Sequence, residues 1–506
     1  MNVATPIGPE LERLNLDLQR ADLVCSQNFI NGAWVDPSSK RWYEVSNPAT
    51  DEVFARVADS GPEDARAATD AAAAAFPGWR ARTARERSQL LQRWHGRILE
   101  HGEDLARLIA SEQGKSLVEA RGEVAYGASY VEWFAAEAVR CNGDILPSLL
   151  PGRRQMAVRE PVGVVAAITP WNFPLAMIAR KIAPALAAGC TVVAKPAEDT
   201  PLTALALVKL AAEAGIPAGV INIISSSREQ TPEAVSSWLQ DARVRKITFT
   251  GSTAVGKFLA RESAGTLKRL SLELGGNAPF IVFDDADIDA AVTGLMRGKF
   301  RNSGQTCVCP NRVYVQAGIY SRFVEKLKSA VEALRIGPAS LAGTDIGPLI
   351  NARAVAKVDA HVRDAVDRGA TLVTGGRTAR DEVANGPYYY APTVLAEASE
   401  DMMLCHEETF GPVIPLFRFD TEEEVVARAN ATAFGLAAYF YTGDPARIWR
   451  VSGLLEVGVM GINEGVVASE AAPFGGIKDS GYGREGSQQG LDDYLQTKYM
   501  CQGELG

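Results

Sequence analysis

Gly163–Glu198 reads GVVAAITPWNFPLAMIARKIAPALAAGCTVVAKPAE, two short apolar runs on either side of a longer, alanine-rich stretch. The runs Gly163–Thr169 and Cys190–Lys195 are rich in small and β-branched residues, which is typical of buried strands. The stretch between them, Phe173–Ala188, has the length and composition of a helix. A strand, a helix and a second strand in this order predict two parallel strands joined by a crossover helix.

The same alternation continues on the C-terminal side of this unit. A helix is predicted at Thr200–Ala214, and strands are predicted at Ile221–Ile224 and Lys246–Thr250. A second α/β region begins near Ser271, and its predicted elements are the strands Pro279–Phe283 and Arg312–Gln316 and the helix Tyr320–Leu334. The pattern predicts an α/β fold in which parallel sheets carry helices on both faces, with right-handed connections.

The segment Cys141–Val162 interrupts this alternation. It contains Pro147, Pro151 and Pro161 among short apolar pieces. Proline is disfavoured both in helix interiors and in central strands. We interpret the segment as an extended arm or hairpin outside the two layers. Because such an arm usually pairs with another subunit, we expect a homo-oligomer, either a dimer or a tetramer.

The bulk composition excludes several classes of protein. The chain has 506 residues, of which 47% are hydrophobic, and its net charge of −9 argues against nucleic acid as a partner. Met1–Arg20 carries acidic residues and lacks the apolar core of a secretory signal, and no apolar run is long enough to cross a membrane. Five of the seven cysteines are scattered singly, which predicts a reducing compartment rather than a disulfide framework. We therefore expect a cytoplasmic protein.

Two glycine-rich motifs invite a nucleotide-binding interpretation. Gly481–Gly486 is a literal G-x-G-x-x-G, but it follows no predicted strand and too little chain remains for a βαβ unit. Gly251–Lys257 resembles a P-loop, but Phe258 stands where a serine or threonine would hold magnesium. A nucleoside triphosphatase is therefore not expected. The glycine turn after the strand Lys246–Thr250 still allows a helix N-terminus to face a pyrophosphate.

Three motifs contain side chains suited to covalent catalysis. Cys307 lies in a glycine-flanked loop, where a thiol is either an accessible nucleophile or an inert buried side chain. Glu273 precedes Gly275 and Gly276, which leave the backbone open to the close approach of a ligand. Asn172, between a predicted strand and a predicted helix, could cap that helix or donate its amide to an oxyanion.

The remaining motifs do not predict a metal site. Cys307 and Cys309 form a C-x-C pair without a second pair at zinc spacing, and the four histidines form no cluster in the sequence. The last motif, Glu407–Pro412 (EETFGP), places carboxylates beside an aromatic ring. Each of these motifs is ambiguous when taken alone.

Together the motifs resemble those of the aldehyde dehydrogenase superfamily, and they occur in the same order along the chain as in that family. The resemblance extends from about Phe29 to the C-terminus. Pro473–Lys478 (PFGGIK) and Ser480–Ser487 match the family as well. The resemblance implies an α/β fold of three parts. These are a variant Rossmann NAD-binding domain (residues 1–140 and 160–270), an α/β catalytic domain (271–470), and a small β oligomerisation arm with the C-terminal tail (141–159 and 471–506).

The resemblance assigns a role to each of the three candidate catalytic side chains. The Cys307 thiolate attacks the aldehyde carbon, and the Asn172 amide and a backbone N–H near Cys307 stabilise the oxyanion. Transfer of hydride to the nicotinamide leaves a thioester on Cys307, which is hydrolysed by water that Glu273 activates. A glutamate at this position favours a free acid product over an acyl-CoA.

The resemblance also implies that the cofactor is NAD. Lys195 and Glu198 would meet the adenosine ribose, where a carboxylate accepts hydrogen bonds from two hydroxyls and repels a 2′-phosphate. Related NADP-preferring enzymes often carry a small neutral residue in place of this glutamate, so NADP is the less favoured alternative. The other residues implied at the cofactor are Thr169, Pro170, Trp171, Gly251, Ser252, Glu408 and Phe410.

Three further residues bear on the substrate. Arg180, Arg301 and Ser469 match residues that bind the substrate carboxylate in succinate-semialdehyde dehydrogenases. Most arginines form surface salt bridges, but two guanidiniums in one pocket would select an anion and reject a cationic aldehyde. Succinate semialdehyde is the expected substrate. The loop Gly465–Ala468 departs from that subfamily's Ile/Ser-rich version, which leaves glutarate semialdehyde, 2-oxoglutarate semialdehyde and a sulfonated aldehyde such as sulfolactaldehyde as alternatives.

Two other hypotheses compete with a dehydrogenase. A cysteine hydrolase or thioesterase could use Cys307 and Glu273 without redox chemistry, and it would form product without NAD. A non-catalytic relative would be expected to lack Cys307 or Glu273, and both are present. Cys309 is either a small packed side chain or a redox partner that forms a disulfide with Cys307, although a bridge across one residue is geometrically tight.

Overall fold

The computed structural model describes residues 16–380, 383 and 386–504, so most of Met1–Arg20 lies outside the described residues. Within them, no helix combines the length and the apolar character needed to span a membrane. The α-helices are α1 (Pro62–Arg80), α2 (Ala84–Glu100), α3 (Gly102–Gln113), α4 (Leu117–Glu137), α5 (Ala176–Ala188), α6 (Leu202–Glu213), α7 (Thr231–Gln240), α8 (Thr253–Ser263), α9 (Ile288–Phe300), α10 (Tyr320–Glu332), α11 (Ala352–Asp367), α12 (Met403–His406), α13 (Glu422–Asn430), α14 (Pro445–Leu454) and α15 (Ser487–Asp492). The strands are β1 (Asn28–Ile30), β2 (Ala33–Val35), β3 (Trp42–Asn47), β4 (Glu52–Ala58), β5 (Asp144–Leu146), β6 (Arg154–Pro161), β7 (Val164–Ile168), β8 (Thr191–Lys195), β9 (Ile221–Ile223), β10 (Val244–Thr250), β11 (Arg269–Glu273), β12 (Ala278–Val282), β13 (Pro310–Gln316), β14 (Thr371–Thr374), β15 (Thr393–Ala396), β16 (Val413–Phe419), β17 (Phe434–Gly435), β18 (Ala437–Tyr441), β19 (Val459–Ile462), β20 (Ile477–Lys478), β21 (Gly481–Tyr482) and β22 (Leu495–Gln502).

The unit predicted at Gly163–Glu198 forms the centre of an eight-stranded sheet with the strand order β2-β1-β9-β8-β7-β10-β11-β21. β7 and β8 are parallel, with Val164 opposite Thr191 and Ile168 opposite Lys195, and α5 connects them. Every residue of these two strands is buried, as expected of parallel strands covered by helices on both faces. The predicted βαβ unit is confirmed.

A seven-stranded sheet follows, with the order β14-β15-β16-β13-β12-β18-β19. Its first strand along the chain is β12, which begins at Ala278. The predicted domain boundary at residue 270 falls inside β11, which still pairs with β10 in the first sheet. Consequently Glu273 ends a strand of the first sheet, whereas Cys307 precedes a strand of the second.

The predicted arm forms a separate three-stranded antiparallel sheet, in the order β22-β6-β5. β6 pairs with the C-terminal strand β22 along its whole length, starting with Pro161 opposite Leu495. On this arm, Ile145 and Leu149 expose 79% and 89% of their surface. Exposed apolar side chains of this kind are typical of interaction surfaces, and the homo-oligomer stays a prediction.

Helix α5 begins at Ala176, three residues later than the sequence predicts. The backbone N–H groups of Leu175 and Ala176 donate hydrogen bonds to the buried Glu123 carboxylate on α4, at 2.9 and 3.3 Å. Glu123 is itself paired with Lys115 Nζ at 2.6 Å. Because Glu123 satisfies the donors that a capping side chain would otherwise satisfy, Asn172 does not cap this helix, and its role as an oxyanion donor stays a prediction.

Candidate active site

A cavity lies where the helices of the first sheet meet the Cys307 loop and the second sheet. Helices α4 and α5 contribute to one wall, α9 and the Cys307 loop to a second, and residues 465–468 to a third. The lining residues are Tyr126, Phe173, Met177, Arg180, Arg297, Gly298, Arg301, Thr306, Cys307, Val308, Tyr439, Gly465, Val466, Val467, Ala468 and Phe474. Cys307 therefore shares the cavity with arginines and apolar side chains, as expected of a site for a small ligand with a charged end.

Cys307 follows a tight turn at the end of α9. Asn302, Ser303 and Gly304 all have positive φ, at 52°, 55° and 79°, and this conformation is uncommon for residues with side chains. A Cβ at Gly304 would lie 2.2 Å from a neighbouring carbonyl oxygen, so only glycine fits there. The Cys307 side chain is half-buried, and burial together with the Glu408 carboxylate raises the pKa of its thiol to about 12. The thiol therefore lines the cavity in surroundings that disfavour its thiolate form.

The Asn172 side chain lies against the Cys307 loop. It is buried, and its Nδ2 donates a hydrogen bond of 3.0 Å to the carbonyl oxygen of Gln305, two residues before Cys307. The Asn172 carbonyl oxygen accepts hydrogen bonds from Lys115 Nζ at 2.8 Å and Asn302 Nδ2 at 3.1 Å, which fix the residue from its backbone. A side-chain amide carries two N–H donors, so one remains available for an oxyanion beside Cys307.

Glu273 lies at the end of β11 and is buried. Neither of its carboxylate oxygens has a hydrogen-bond partner among the described residues. Burial and the neighbouring Glu485 carboxylate raise the pKa of Glu273 well above its ordinary value, and the Arg180 guanidinium partly opposes this shift. Glu273 in turn contributes to the raised pKa of Cys307. The three side chains predicted to be catalytic are thus brought into one neighbourhood by different elements.

A second cavity, of about 330 Å³, includes Glu198, Arg228 and Glu229 in its wall. Glu198 follows β8, and its carboxylate lies 3.8 Å from Lys195 Nζ. At the end of the adjacent strand β7, the Thr169 N–H donates a hydrogen bond of 3.1 Å to the Lys195 carbonyl oxygen. The Glu198 carboxylate is partly exposed, so its oxygens can accept hydrogen bonds from ribose hydroxyls.

The N-terminus of α8 follows the first sheet's strand β10 directly. Ser252 caps this helix, because its Oγ accepts a hydrogen bond from Val255 N at 3.4 Å. The preceding Gly251 leaves no room for a side chain, since a Cβ there would lie 2.4 Å from the Phe249 ring. The exposed N–H groups and the dipole of the helix are suited to a pyrophosphate.

The EETFGP motif lies beside the paired glycines that follow Glu273. Glu408 Oε1 accepts a hydrogen bond of 3.2 Å from Gly276 N, and burial raises the pKa of Glu408 to about 7. The Phe410 ring packs edge-on against the Trp171 ring at 5.6 Å, and Pro170 and Trp171 are half-buried. Together with the second cavity and the α8 N-terminus, these residues offer groups of the kind that bind a dinucleotide, and their cofactor roles stay predictions.

Two arginines in the cavity retain free hydrogen-bond donors. Arg180 is buried and ion-paired with Glu485, and its guanidinium lies over the Phe474 ring at 4.4 Å. Its Nη2 has no hydrogen-bond partner within the described part of the chain. The Arg301 guanidinium lies over the Phe173 ring at 4.9 Å. Both can therefore donate charge-assisted hydrogen bonds to an anionic ligand.

A comparison with known protein families decides what this arrangement is. The model described as "Aldehyde dehydrogenase family" matches residues 34–500. The chain belongs to the aldehyde dehydrogenase family. The protein is therefore an aldehyde dehydrogenase, and the cofactor of this family is NAD or NADP.

This aldehyde dehydrogenase is similar to relatives named for different substrates. A 3-sulfolactaldehyde dehydrogenase of Pseudomonas putida is 53% identical over 96% of this chain and 99% of the relative. A glutarate-semialdehyde dehydrogenase of Pseudomonas aeruginosa is 52% identical over 97% and 100%. The succinate-semialdehyde dehydrogenase [NADP(+)] of Escherichia coli is 51% identical over 96% and 100%. A crystal structure of succinate-semialdehyde dehydrogenase from Burkholderia pseudomallei has a TM-score of 0.94 at 50% identity, covering 96% of this chain and 99% of that one. The predicted family and fold are confirmed.

Ser469 and Cys309 lie outside the lining of the substrate cavity, and so do Asn172 and Glu273. The loop Gly465–Ala468 lines it, whereas Ser469 Oγ accepts a hydrogen bond from Ala471 N at 3.3 Å. Cys309 is buried and its Sγ donates a hydrogen bond of 3.5 Å to the Lys299 carbonyl oxygen. This packing favours the structural interpretation of Cys309, and the roles given to Ser469 and to a disulfide stay predictions.

The sequence analysis gives no individual role to two charged residues of this site. Glu485 forms the ion pair with Arg180 but lies far from it in sequence, so no local sequence pattern predicts the contact. Arg297 lies one helical turn before Arg301, a spacing at which side chains share a helix face. That spacing is a signal that could have identified it. Among the residues that the structure describes, no group of three or more His, Cys, Asp or Glu side chains is placed to hold a metal ion.

Proposed function

We propose that this aldehyde dehydrogenase oxidises a small ω-anionic aldehyde to the free acid, with NAD as cofactor and succinate semialdehyde as the leading substrate. The observation that carries the proposal is that Arg180 and Arg301 line the cavity that holds Cys307. Guanidiniums bind carboxylates and sulfonates through charge-assisted, often bidentate bonds. Glutarate semialdehyde, 2-oxoglutarate semialdehyde and sulfolactaldehyde belong to the same class and are the alternatives.

In this proposal the Cys307 thiol releases its proton to solvent, its sulfur bonds to the aldehyde carbon, and the carbonyl oxygen takes up negative charge. The free N–H of Asn172 Nδ2 and a backbone N–H of the Cys307 loop donate hydrogen bonds to that oxygen, and such a donor is typically worth about 10²–10³ in rate. NAD, which Glu198 and the N-terminus of α8 would hold, would supply the acceptor for the hydride of this carbon. The acyl group then remains on Cys307 as a thioester.

Glu273 completes the proposed reaction. Its unpartnered carboxylate takes a proton from water, the water oxygen bonds to the acyl carbon, and the bond from that carbon to Cys307 breaks. The products are a carboxylate and the regenerated cysteine. Since water is the acceptor, the product is a free acid.

Replacing Arg301 by methionine tests the anionic substrate. A lost charge-assisted hydrogen bond costs about 1.5–3 kcal/mol, so kcat/KM for succinate semialdehyde should fall about 10- to 100-fold, mainly through KM. The kcat/KM for neutral butanal should change less than about threefold. Both are followed by NADH absorbance, and Arg363→Met, an exposed arginine on α11, is the matched control. The proposal is wrong if the unmodified enzyme oxidises butanal as efficiently as succinate semialdehyde.

The choice of cofactor is tested by Glu198→Ser. The carboxylate of Glu198 would repel a 2′-phosphate, and its removal also deletes an acceptor for the ribose hydroxyls. We expect the ratio of kcat/KM with NAD to that with NADP to fall by about tenfold or more. Glu229→Gln, which removes another carboxylate from the wall of the same cavity, should leave the ratio within about twofold. Faster turnover of the unmodified enzyme with NADP would contradict the assignment.

The proposal also concerns a rival activity, the oligomeric state and the cellular location of the protein. A cysteine hydrolase or thioesterase is the alternative of a different class, and product formation without any nicotinamide cofactor would favour it. A homo-oligomer rests on the arm sheet β22-β6-β5 and its exposed Ile145 and Leu149. A cytoplasmic location rests on the cysteine usage of the sequence alone.

A further inference from the structure

We propose that Arg297 is a second anchoring point for the distal anion, at the mouth of the substrate cavity, and that it extends the enzyme's range to ω-anionic aldehydes of five and six carbons. The inference rests on the proposed function, because it assumes that Arg301 and Arg180 bind the anion of a four-carbon substrate. It concerns a residue to which neither the sequence motifs nor the resemblance assigns a role.

Arg297 precedes Arg301 along α9, and we infer that it lies farther from the Cys307 loop, which follows Arg301 in the chain. Both residues line the cavity that holds Cys307. Arg301 follows the last residue of α9, and Arg297 lies four residues earlier, about 6 Å back along the helix axis. The exposure of the three arginines increases in the same direction, because Arg180 is buried, Arg301 is half-buried and Arg297 is exposed.

Arg297 has no ion-pair partner among the described residues, although the Glu464 carboxylate lies in its neighbourhood. Within the same residues, Arg301 has only the Glu119 carboxylate near it, whose pKa burial raises and Arg301 lowers. Arg180 is ion-paired with Glu485, but neither Arg297 nor Arg301 forms an ion pair with any residue that the structure describes. Burial and the Glu464 carboxylate raise the pKa of the Tyr441 phenol, and the Arg297 guanidinium lowers it, so both charged groups lie near this side chain. The Glu464 carboxylate, however, accepts hydrogen bonds from its own loop, from Gly465 N at 2.8 Å and Val466 N at 3.0 Å.

Two unpaired like charges one helical turn apart repel each other. When two arginines on one helix face line the same cavity, an anion that binds in the cavity stabilises them. An anion held between the two guanidiniums would relieve the repulsion.

Close packing holds Arg297 at the mouth of the cavity. Glycines on α9 and in the loop at residues 465–468 allow the two backbones to touch. A Cβ at Gly298 would lie 2.8 Å from the Gly465 carbonyl oxygen, and a Cβ at Gly465 would lie 2.0 Å from that of Gly294. Arg297 consequently lines the mouth together with the apolar Val466 and Val467. A methylene chain that ends in an anion matches this combination of apolar wall and cation.

The reach of Arg297 fits longer substrates. Each added methylene moves the anion outward by about 1.3 Å along an extended chain, so five- and six-carbon aldehydes carry it about 1.3–2.6 Å farther from Cys307 than succinate semialdehyde. This displacement carries the anion away from Arg301 and toward the preceding helical turn. A four-carbon substrate held by Arg301 gains less from Arg297.

The test compares Arg297→Met and Arg297→Lys with the unmodified holoenzyme. The substrates are succinate, glutarate and adipate semialdehydes, with butanal, pentanal and hexanal as their neutral counterparts. For Arg297→Met we expect kcat/KM to fall about 10- to 100-fold with the five- and six-carbon semialdehydes, through KM, and less than about threefold with succinate semialdehyde. Arg297→Lys, which keeps the charge, should recover part of the loss.

Two results would overturn the inference. An equal loss with all three semialdehydes that disappears in high salt would show that Arg297 only steers anions toward the site. No loss at any chain length would show that it does not contact the substrate. The proposed function fails separately, if the unmodified enzyme does not prefer semialdehydes to neutral aldehydes. The matched neutral aldehydes report any general damage to the fold, since they lack the anion.

Discussion

The Cys307→Ala enzyme is expected to lose NADH production from succinate semialdehyde by about 10⁴-fold or more. A covalent nucleophile and the groups that act with it function as a unit, so its removal eliminates nearly all of the catalysed rate. Cys307 is the only cysteine that lines the substrate cavity among the described residues. The steady-state rate is measured by NADH absorbance with saturating NAD, and circular dichroism verifies that the variant is folded.

Cys309→Ala is the matched control for this prediction. It removes a thiol two residues away that is buried and bonded to the Lys299 carbonyl oxygen rather than directed into the cavity. We expect it to keep its rate within about threefold and to show a small loss of thermal stability from the cavity it creates. A Cys307→Ala enzyme that kept its rate, or a Cys309→Ala enzyme that lost it, would contradict the assignment of the nucleophile.

The sequence predicts the parts of this fold whose signals are local. The apolar runs around Val164 and Thr191 predict buried parallel strands, because strands covered on both faces carry continuous apolar side chains. The start of α5 could not be predicted in the same way. It depends on Glu123, a residue of another helix that supplies its carboxylate to the N–H groups of Leu175 and Ala176.

The same distinction holds for the site. Cys307, Asn172 and Glu273 occur in recognisable motifs, so their residue types and order suffice to select them. The ion pair of Arg180 with Glu485 is formed between residues distant in sequence, and it leaves Arg297 and Arg301 as the cavity arginines without an ion-pair partner among the described residues. This ion pair is visible only once the chain is folded, and it is one premise of the role proposed for Arg297.

Replacing Glu273 by glutamine should separate the two halves of the reaction. Glutamine keeps the size of the side chain but cannot take a proton from water, so the thioester on Cys307 should form and then persist. We expect a burst of about one NADH per active site, followed by a steady-state rate reduced by about 10²–10⁴-fold. Mass spectrometry of the stopped reaction should find the acyl group on Cys307. Glu332→Gln, an exposed carboxylate on α10, should show neither effect.

The pH dependence provides an independent test of the same residue. Burial and Glu485 raise the pKa of Glu273 well above its ordinary value. The base form is therefore lost as the pH falls through this raised pKa, and hydrolysis of the thioester by the unmodified enzyme should slow at lower pH and accelerate as the pH rises. In Glu273→Gln the residual rate of hydrolysis should lose this dependence on the carboxylate. A variant that turned over steadily without a burst, or that kept the same pH profile for thioester hydrolysis, would show that another group activates the water.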